Sequence, residues 1–214
     1  MDRFWNRESL WDIITAFRIV NGLPLIYGTG TDDTHDYVNF RDLGDNPGQA
    51  WVVVRAEKLE PDIIMKAMAL HDVGKIAIPD RILLKPGKLD PDEYEIMKTH
   101  TIRGKEIIAE LGDVNSSMYL KHCEDICYGH HERWDGKGYP QGLAGTNIPL
   151  AARLAALADV YDALVCARVY KAAMSYEEAI KIITDGKGGQ FDPVLTDAVT
   201  QIQDRFKEIS QQYK

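Results

Sequence analysis

No apolar run in this 214-residue chain approaches the roughly 18–20 residues that a membrane-spanning helix needs. The N-terminus, MDRFWNRESLWDII, is too charged for the apolar core of a secretory signal. Together these absences lead to the expectation of a cytoplasmic protein. Cysteine is scarce: Cys123, Cys127 and Cys166 are too few and too irregular for a disulfide framework. The Cys-x3-Cys pair lacks the usual spacing of a structural zinc site, so packing is the expected role. Positive charge is not in excess either. Lys and Arg number 25 against 33 Asp and Glu, a net charge of −8. That argues against binding a nucleic-acid polymer or an anionic membrane by bulk electrostatics. A phosphate substrate stays open, because bound metal ions can dominate the local field of an acidic protein. Internal repeats and low-complexity tracts are missing as well.

What remains is an ordinary globular composition, 45% apolar and 27% charged, and mostly helical periodicity. Residues 7–19 read as an amphipathic helix ending before Gly22 and Pro24. Residues 22–50, rich in Gly, Asp, Thr and Pro, read mostly as loop. The valine run in WVVVRAEKL, 51–59, favours strand locally. Pro61 suits the first turn of a helix carrying Ile63, Ile64, Ala67, Met68 and Leu70, with His71 and Asp72 near its end. Asp90-Pro91-Asp92-Glu93 is a helix start. That helix is expected to run to about Leu111 with Ile96, Met97, His100, Ile107 and Ile108 on one face. A helix over about 115–131 ends in His130 and His131. Pro149 opens another through LAARLAALADVYDALVCA. Ser175 with Glu178 forms a capping box, and Asp192-Pro193 starts the last helix. Six or more helices with a trace of strand predict an all-α bundle. Residues 1–55 are too short for a complete sensor domain, and 56–214 form the expected domain.

The chemistry gathers in six residues: His71, Asp72, His100, His130, His131 and Asp159. A lone histidine on an apolar face, such as His100, is more often a core residue than a ligand. Asp159 within LAALADVYDAL is harder to dismiss, because a carboxylate among leucines and alanines is costly unless paired or metal-bound. Adjacent helical residues point about 100° apart, so one ion is awkwardly shared by His71-Asp72 or by His130-His131. Two ions a few ångströms apart fit better, with Asp72 bridging and His130 and His131 each facing a different ion. Imidazole and carboxylate without thiolate suit Fe, Mn or Zn.

The stretches HDVGKIAIPDRILLKPGKLDPDEYEIMKTH, HHERWDGKGYP, IPLAARLAALADVYDAL and RVYK together resemble the HD-GYP family of cyclic di-GMP phosphodiesterases. The resemblance covers about residues 60–198. It implies an HD-superfamily helical bundle with a glycine-rich GYP loop between metal-ligand helices. It also implies hydrolysis of cyclic di-GMP to linear pGpG, GMP or both by a metal-bridged hydroxide. Position by position, His71, Asp72, His100, His130, His131 and Asp159 match the family's metal ligands. Two divalent transition-metal ions are implied, iron or manganese, with zinc and nickel as alternatives. Lys75 matches the active-site lysine and Tyr139 a residue that contacts guanine. Arg168 and Lys171 match a guanine- and phosphate-binding basic pair, with Val169 where the family has proline. Asp162 matches a nearby polar position.

The chain also departs from the pattern. Many relatives add a Glu-x-x-x-His pair from an earlier helix. Here His35 in TDDTHDYVNF has Thr31 one turn before it, and an alternative pairing on RDLGDNPGQAW puts Ala50 or Trp51 at the histidine. A third ion is therefore not expected, and His35 is carried as an additional ligand or a residue behind one. The competing reading is a weak or inactive signalling module. It would bind cyclic dinucleotide or dock a GGDEF-type diguanylate cyclase through the GYP loop. A homodimer is compatible with either.

Overall fold

The computed structural model describes residues 61–166, 174–204 and 207, with two short strands at 30–31 and 36–37. The helix read over 7–19 and the strand read over 51–59 lie outside the described residues. Within the stretch read as loop, β1 (Gly30–Thr31) and β2 (Asp36–Tyr37) form a two-residue antiparallel pair. Everything else regular among the described residues is helical, as the periodicity predicts. The order is α1 (Pro61–Met68), a 3-10 turn (Val73–Ala77), α2 (Asp80–Leu83), α3 (Pro91–Lys98), α4 (His100–Glu110) and α5 (Met118–Gly129). A second 3-10 turn (Gly145–Asn147), α6 (Leu150–Val165), α7 (Tyr176–Asp185) and α8 (Pro193–Gln201) follow. No helix among the described residues is long and apolar enough to cross a membrane.

The helix starts follow local chemistry. Asp90 and Glu93 close a capping box ahead of Pro91, and Ser175 and Glu178 close another. Asp192 caps α8 by accepting from the Val194 N–H at 2.8 Å. Two boundaries differ from the sequence reading. The helix expected from 91 to about Leu111 breaks at Thr99. The Thr99 and Thr101 hydroxyls donate to the carbonyls of Ile96 (2.6 Å) and Lys98 (2.9 Å), a competing use of the backbone that threonine favours. Ile96 is consequently left largely exposed, while Ile108 is fully buried. The second difference is that α1 ends at Met68. His71 and Asp72 sit beyond it, in turns closed by bonds from Leu70 N–H to Ala67 O, His71 N–H to Met68 O and Val73 N–H to Leu70 O, each spanning three residues.

α5 sits at the centre of the bundle, packed by α1, α4 and α6, and α6 in turn carries α7. Ile64, Ile108, Ile126, Leu157, Tyr161 and Ile183 fill the core. Burying each aliphatic side chain of this size contributes about 1.5–3 kcal/mol. Cys123 and Cys127 are fully buried within it, in the packing role that their spacing suggests. Burial pushes the Cys127 thiol up to about 12, and its S–H donates to the Leu70 carbonyl at 3.0 Å, which pins the turn just before His71.

Candidate metal centre and cleft

The ligand candidates arrive on four separate segments: the turn after α1, the first residue of α4, the end of α5 and the middle of α6. Each of three histidines is oriented by its own local backbone. The Nδ1 atoms of His71, His100 and His130 lie 2.8, 2.8 and 2.9 Å from the carbonyls of Met68, Met97 and Ile126. A carbonyl can only accept, so Nδ1 carries the proton and Nε2 presents its lone pair. Those Nε2 atoms converge on Asp72, and they do so in two groups. Oδ2 of Asp72 stands 3.3 Å from His71 Nε2, which is in turn 3.8 Å from Asp159 Oδ1. Oδ1 stands 3.4 Å from His100 Nε2 and 3.8 Å from His130 Nε2. One ligand atom each from Asp72, His100, His130 and His131 lies within 4.8 Å of all the others. His130 and His131, 4.0 Å apart ring to ring, therefore join one group, where the sequence reading divides them between two ions.

Four of these atoms, His71 Nε2, Asp72 Oδ1, His100 Nε2 and His130 Nε2, are buried without a hydrogen-bond partner. Such orphaned groups cost free energy unless something else satisfies them, and lone pairs gathered around one carboxylate suit cations. The donor set of nitrogen and oxygen without thiolate fits a transition metal. Lys75, one 3-10 turn after Asp72, forms an ion pair with its Oδ2.

The electrostatics favour neutral donors. Burial holds His100 below its ordinary value and His130 far below it; burial and then the neighbouring His100 bring His131 down to about 3. His71 goes the other way: burial opposes its charge, but Asp72 and the Met68 carbonyl outweigh that and raise it. Asp72 is held well down by His71 and Lys75 despite its burial. A pH dependence follows for metal-free protein. His100, His130 and His131 take up protons near 6.5 when unfolded but resist them when folded, so the unfolded state binds more protons below that pH. Their contribution is complete above about 6.5 and is lost as pH falls below it, for His131 down to about 3. His71 partly offsets this, its stabilisation being present below about 6.5 and lost as pH rises. With three groups against one, the melting temperature of metal-free protein is expected to fall between pH 7.5 and pH 5 by more than about 4 °C, on the order of 1–2 kcal/mol. A flat profile in calorimetry would contradict it.

The centre opens into a cleft of about 650 Å³, edged by Lys75, Tyr94, Lys137, Tyr139 and Gln190. Tyr139 stacks on His131, 4.8 Å between centroids and 25° between planes. The GYP loop is held by contacts that sequence reasoning missed. Glu132, 3% exposed, accepts from the backbone N–H of Gln141 (2.7 Å) and Leu143 (3.0 Å). Trp134 and Asp135 donate backbone N–H bonds to the carbonyls of Gln190 and Gly189 at 3.2 and 2.9 Å. Gly138 is required by close approach, since a Cβ there would lie 2.5 Å from Glu132 Cα. Gly136 and Gly142 take positive φ of 75° and 69°, which side chains resist. The one available signal for Glu132 was a carboxylate directly before a glycine loop full of backbone donors. Glu132→Ala leaves two backbone N–H groups unpaired, each about 1–3 kcal/mol if they stay buried. It is expected to lower kcat/KM for substrate at least tenfold while metal content stays at the parent level. Glu132→Gln, which keeps one acceptor oxygen, should lose less. Metal analysis and kinetics on both variants check this.

Of the other residues expected here, Asp162 lies one turn after Asp159 and accepts from the Cys166 thiol at 3.3 Å. Arg168, Lys171 and His35 lie outside the described residues. Asp159 is partly buried and its Oδ1 lies 3.8 Å from His71 Nε2.

The family model described as HD domain matches residues 51–195. The chain is 50% identical over 154 residues to a probable cyclic di-GMP phosphodiesterase of Vibrio cholerae, covering 71% of this chain and 35% of the relative. It is 42% identical over 147 residues to a 3'3'-cGAMP-specific phosphodiesterase of the same organism, covering 69% and 27%. It thus spans about a third of the length of these relatives. A crystal structure of a cyclic GMP-AMP specific phosphodiesterase of V. cholerae superposes with a TM-score of 0.51 at 24% identity, over 73% of this chain and 44% of the other, a likeness of fold. With the family match spanning most of the chain and the Gly138-Tyr139-Pro140 loop seated against the histidine cluster, the chain belongs to the HD domain family and is of the HD-GYP type.

Proposed function

We propose that this chain is a metal-dependent phosphodiesterase that hydrolyses cyclic di-GMP to linear pGpG, GMP or both. The observation that carries the reading is Asp72, whose two carboxylate oxygens face His71 on one side and His100 and His130 on the other, next to a cleft of about 650 Å³ that His100, His130, His131 and Asp159 line. His71, Asp159 and Asp72 Oδ2 would hold one ion, and His100, His130, His131 and Asp72 Oδ1 a second. Iron or manganese suits these donors. When bound, such ions supply a more acidic water and neutralise charge on phosphate oxygens. The chain's own residues do the rest. Lys75, beside Asp72, brings a compact cation to the phosphate. Tyr139 closes the inner wall over a base, and Arg168, Lys171 and Asp162 complete the base and phosphate contacts. Glu132 keeps the loop seated so that this wall is in place before substrate arrives. His35 is an additional ligand or supports one. The GYP loop also offers a docking point for a GGDEF-type diguanylate cyclase. The names of the similar proteins, cyclic di-GMP phosphodiesterases at up to 50% identity, support the reaction class.

A cyclic GMP-AMP substrate is the second reading, favoured by the relative named for 3'3'-cGAMP at 42% identity. One experiment separates these. Protein reconstituted with Fe or with Mn is assayed for metal content and incubated with each cyclic dinucleotide, with products resolved by chromatography. At least two ions per chain and faster turnover of cyclic di-GMP are expected. Less than one equivalent of metal, or no cleavage of either dinucleotide, would overturn the reading.

A further inference from the structure

The cleft holds two tyrosines, and the one that the sequence reading passed over is the more open. Tyr94 stands on α3 and is 49% exposed while edging the cleft. Its helix is fixed at the start by the Asp90–Glu93 capping box, to which Lys85 adds contacts of 3.1 Å to Asp90 and 2.5 Å to Glu93. Exposed single aromatics are ordinary on protein surfaces; this one is distinguished by where it points. Its ring centroid is 6.4 Å from that of Tyr139, at 80° between planes. Tyr139 has a face against His131, and burial followed by the Tyr94 hydroxyl beside it pushes its phenol upward. Lys98 places its ammonium 5.6 Å from the centroid of each ring and is tethered to Glu95 at 2.7 Å.

We propose that Tyr94 is the base-stacking residue of the cleft and so determines affinity for a purine dinucleotide. This rests on the phosphodiesterase reading above. A purine lying flat on Tyr94 stands at nearly a right angle to Tyr139, so one base meets the face of the first tyrosine and the second tyrosine across its edge. Tyr139, committed to His131, then acts as the inner wall and Tyr94 as the platform. Lys98 brings positive charge to the same corner, where the electron-rich edge of guanine offers acceptors.

The test uses metal-loaded full-length protein carrying Tyr94→Ala or Tyr94→Phe, with metal content, kcat and KM for cyclic di-GMP and direct binding by calorimetry. Loss of one base–aromatic stack weakens binding by about ten- to a hundredfold. Tyr94→Ala is therefore expected to raise KM and Kd by that factor, with kcat within about threefold and metal content unchanged. Tyr94→Phe keeps the ring and should keep the parent affinity within about threefold. Unchanged KM and Kd in Tyr94→Ala, equal weakening in both variants, or loss of metal would overturn the assignment while leaving the phosphodiesterase reading standing. If the parent protein neither binds nor cleaves cyclic di-GMP, both fall.

Discussion

Asp72→Ala is expected to abolish hydrolysis and to drop metal content below one ion per chain. No other side chain among the described residues offers one oxygen to His71 and the other to His100 and His130. Removing it takes a ligand from both halves of the centre at once. It also leaves the Lys75 ammonium without its carboxylate, where it would repel a cation whose charge Asp72 had balanced. The loss of turnover should exceed about a thousandfold, or about 4 kcal/mol of transition-state stabilisation. Asp72→Asn keeps one oxygen and the shape of the side chain, so it should retain more metal than alanine but little activity. Helical content by circular dichroism should match the parent, since Asp72 lies outside the apolar core. Near-normal turnover in Asp72→Ala would show that the centre has been assigned to the wrong residues.

Gly74→Ala is expected to be nearly as damaging, through packing alone. Gly74 lies in the 3-10 turn that presses onto α4. A Cβ there would fall 1.9 Å from the His100 carbonyl oxygen, 2.4 Å from Gly104 N and 2.9 Å from Gly104 Cα. Every one of those atoms is backbone, so no side chain can step aside. The two segments must separate, and they are the ones that deliver His71 and Asp72 on one side and His100 on the other. Overpacking of this kind costs about 3 kcal/mol or more, which lowers the melting temperature by roughly 6–12 °C in a chain of this size. Metal affinity should fall at least about tenfold as the ligands move apart. Gly104→Ala is the milder comparison, since its Cβ would meet Cys127 Cβ at 3.2 Å, a contact that a slight shift can relieve. A Gly74→Ala protein with unchanged melting temperature and metal content would refute the close approach.

Legibility followed the range of the interactions. The starts of α3, α7 and α8 were readable because capping chemistry lies within three or four residues of chain, as in Asp90–Glu93, Ser175–Glu178 and Asp192–Val194. Asp72 and Asp159 stood out because carboxylates in apolar runs need partners, whereas the full set of six came from the resemblance of the motifs. The break at Thr99 was not, since threonine hydroxyls satisfy helix and bend alike until packing decides. Nor was the position of His71 and Asp72 beyond the end of α1, because a 3-10 turn continues the apolar pattern of a helix. Glu132 and Tyr94 acquire meaning only from what folds against them. The same holds for Arg153, whose guanidinium reaches 2.6 Å to Asp192, an ion pair between residues far apart in sequence and almost wholly buried on the aspartate side.

The bonds from Trp134 and Asp135 to Gln190 and Gly189 have a consequence in time as well as in space. A chain made from its N-terminus has emitted every expected ligand by Asp159 and the whole GYP loop well before Gly189. Until the Gly186–Phe191 turn emerges and docks, those two backbone donors lack their acceptors, and the loop is held through Glu132 and through the Tyr139 N–H on the His131 carbonyl. A nascent chain can therefore gather metal before it owns a finished substrate wall. On the proposed function, competence to bind a dinucleotide would come last, delivered by a segment that carries none of the expected metal ligands.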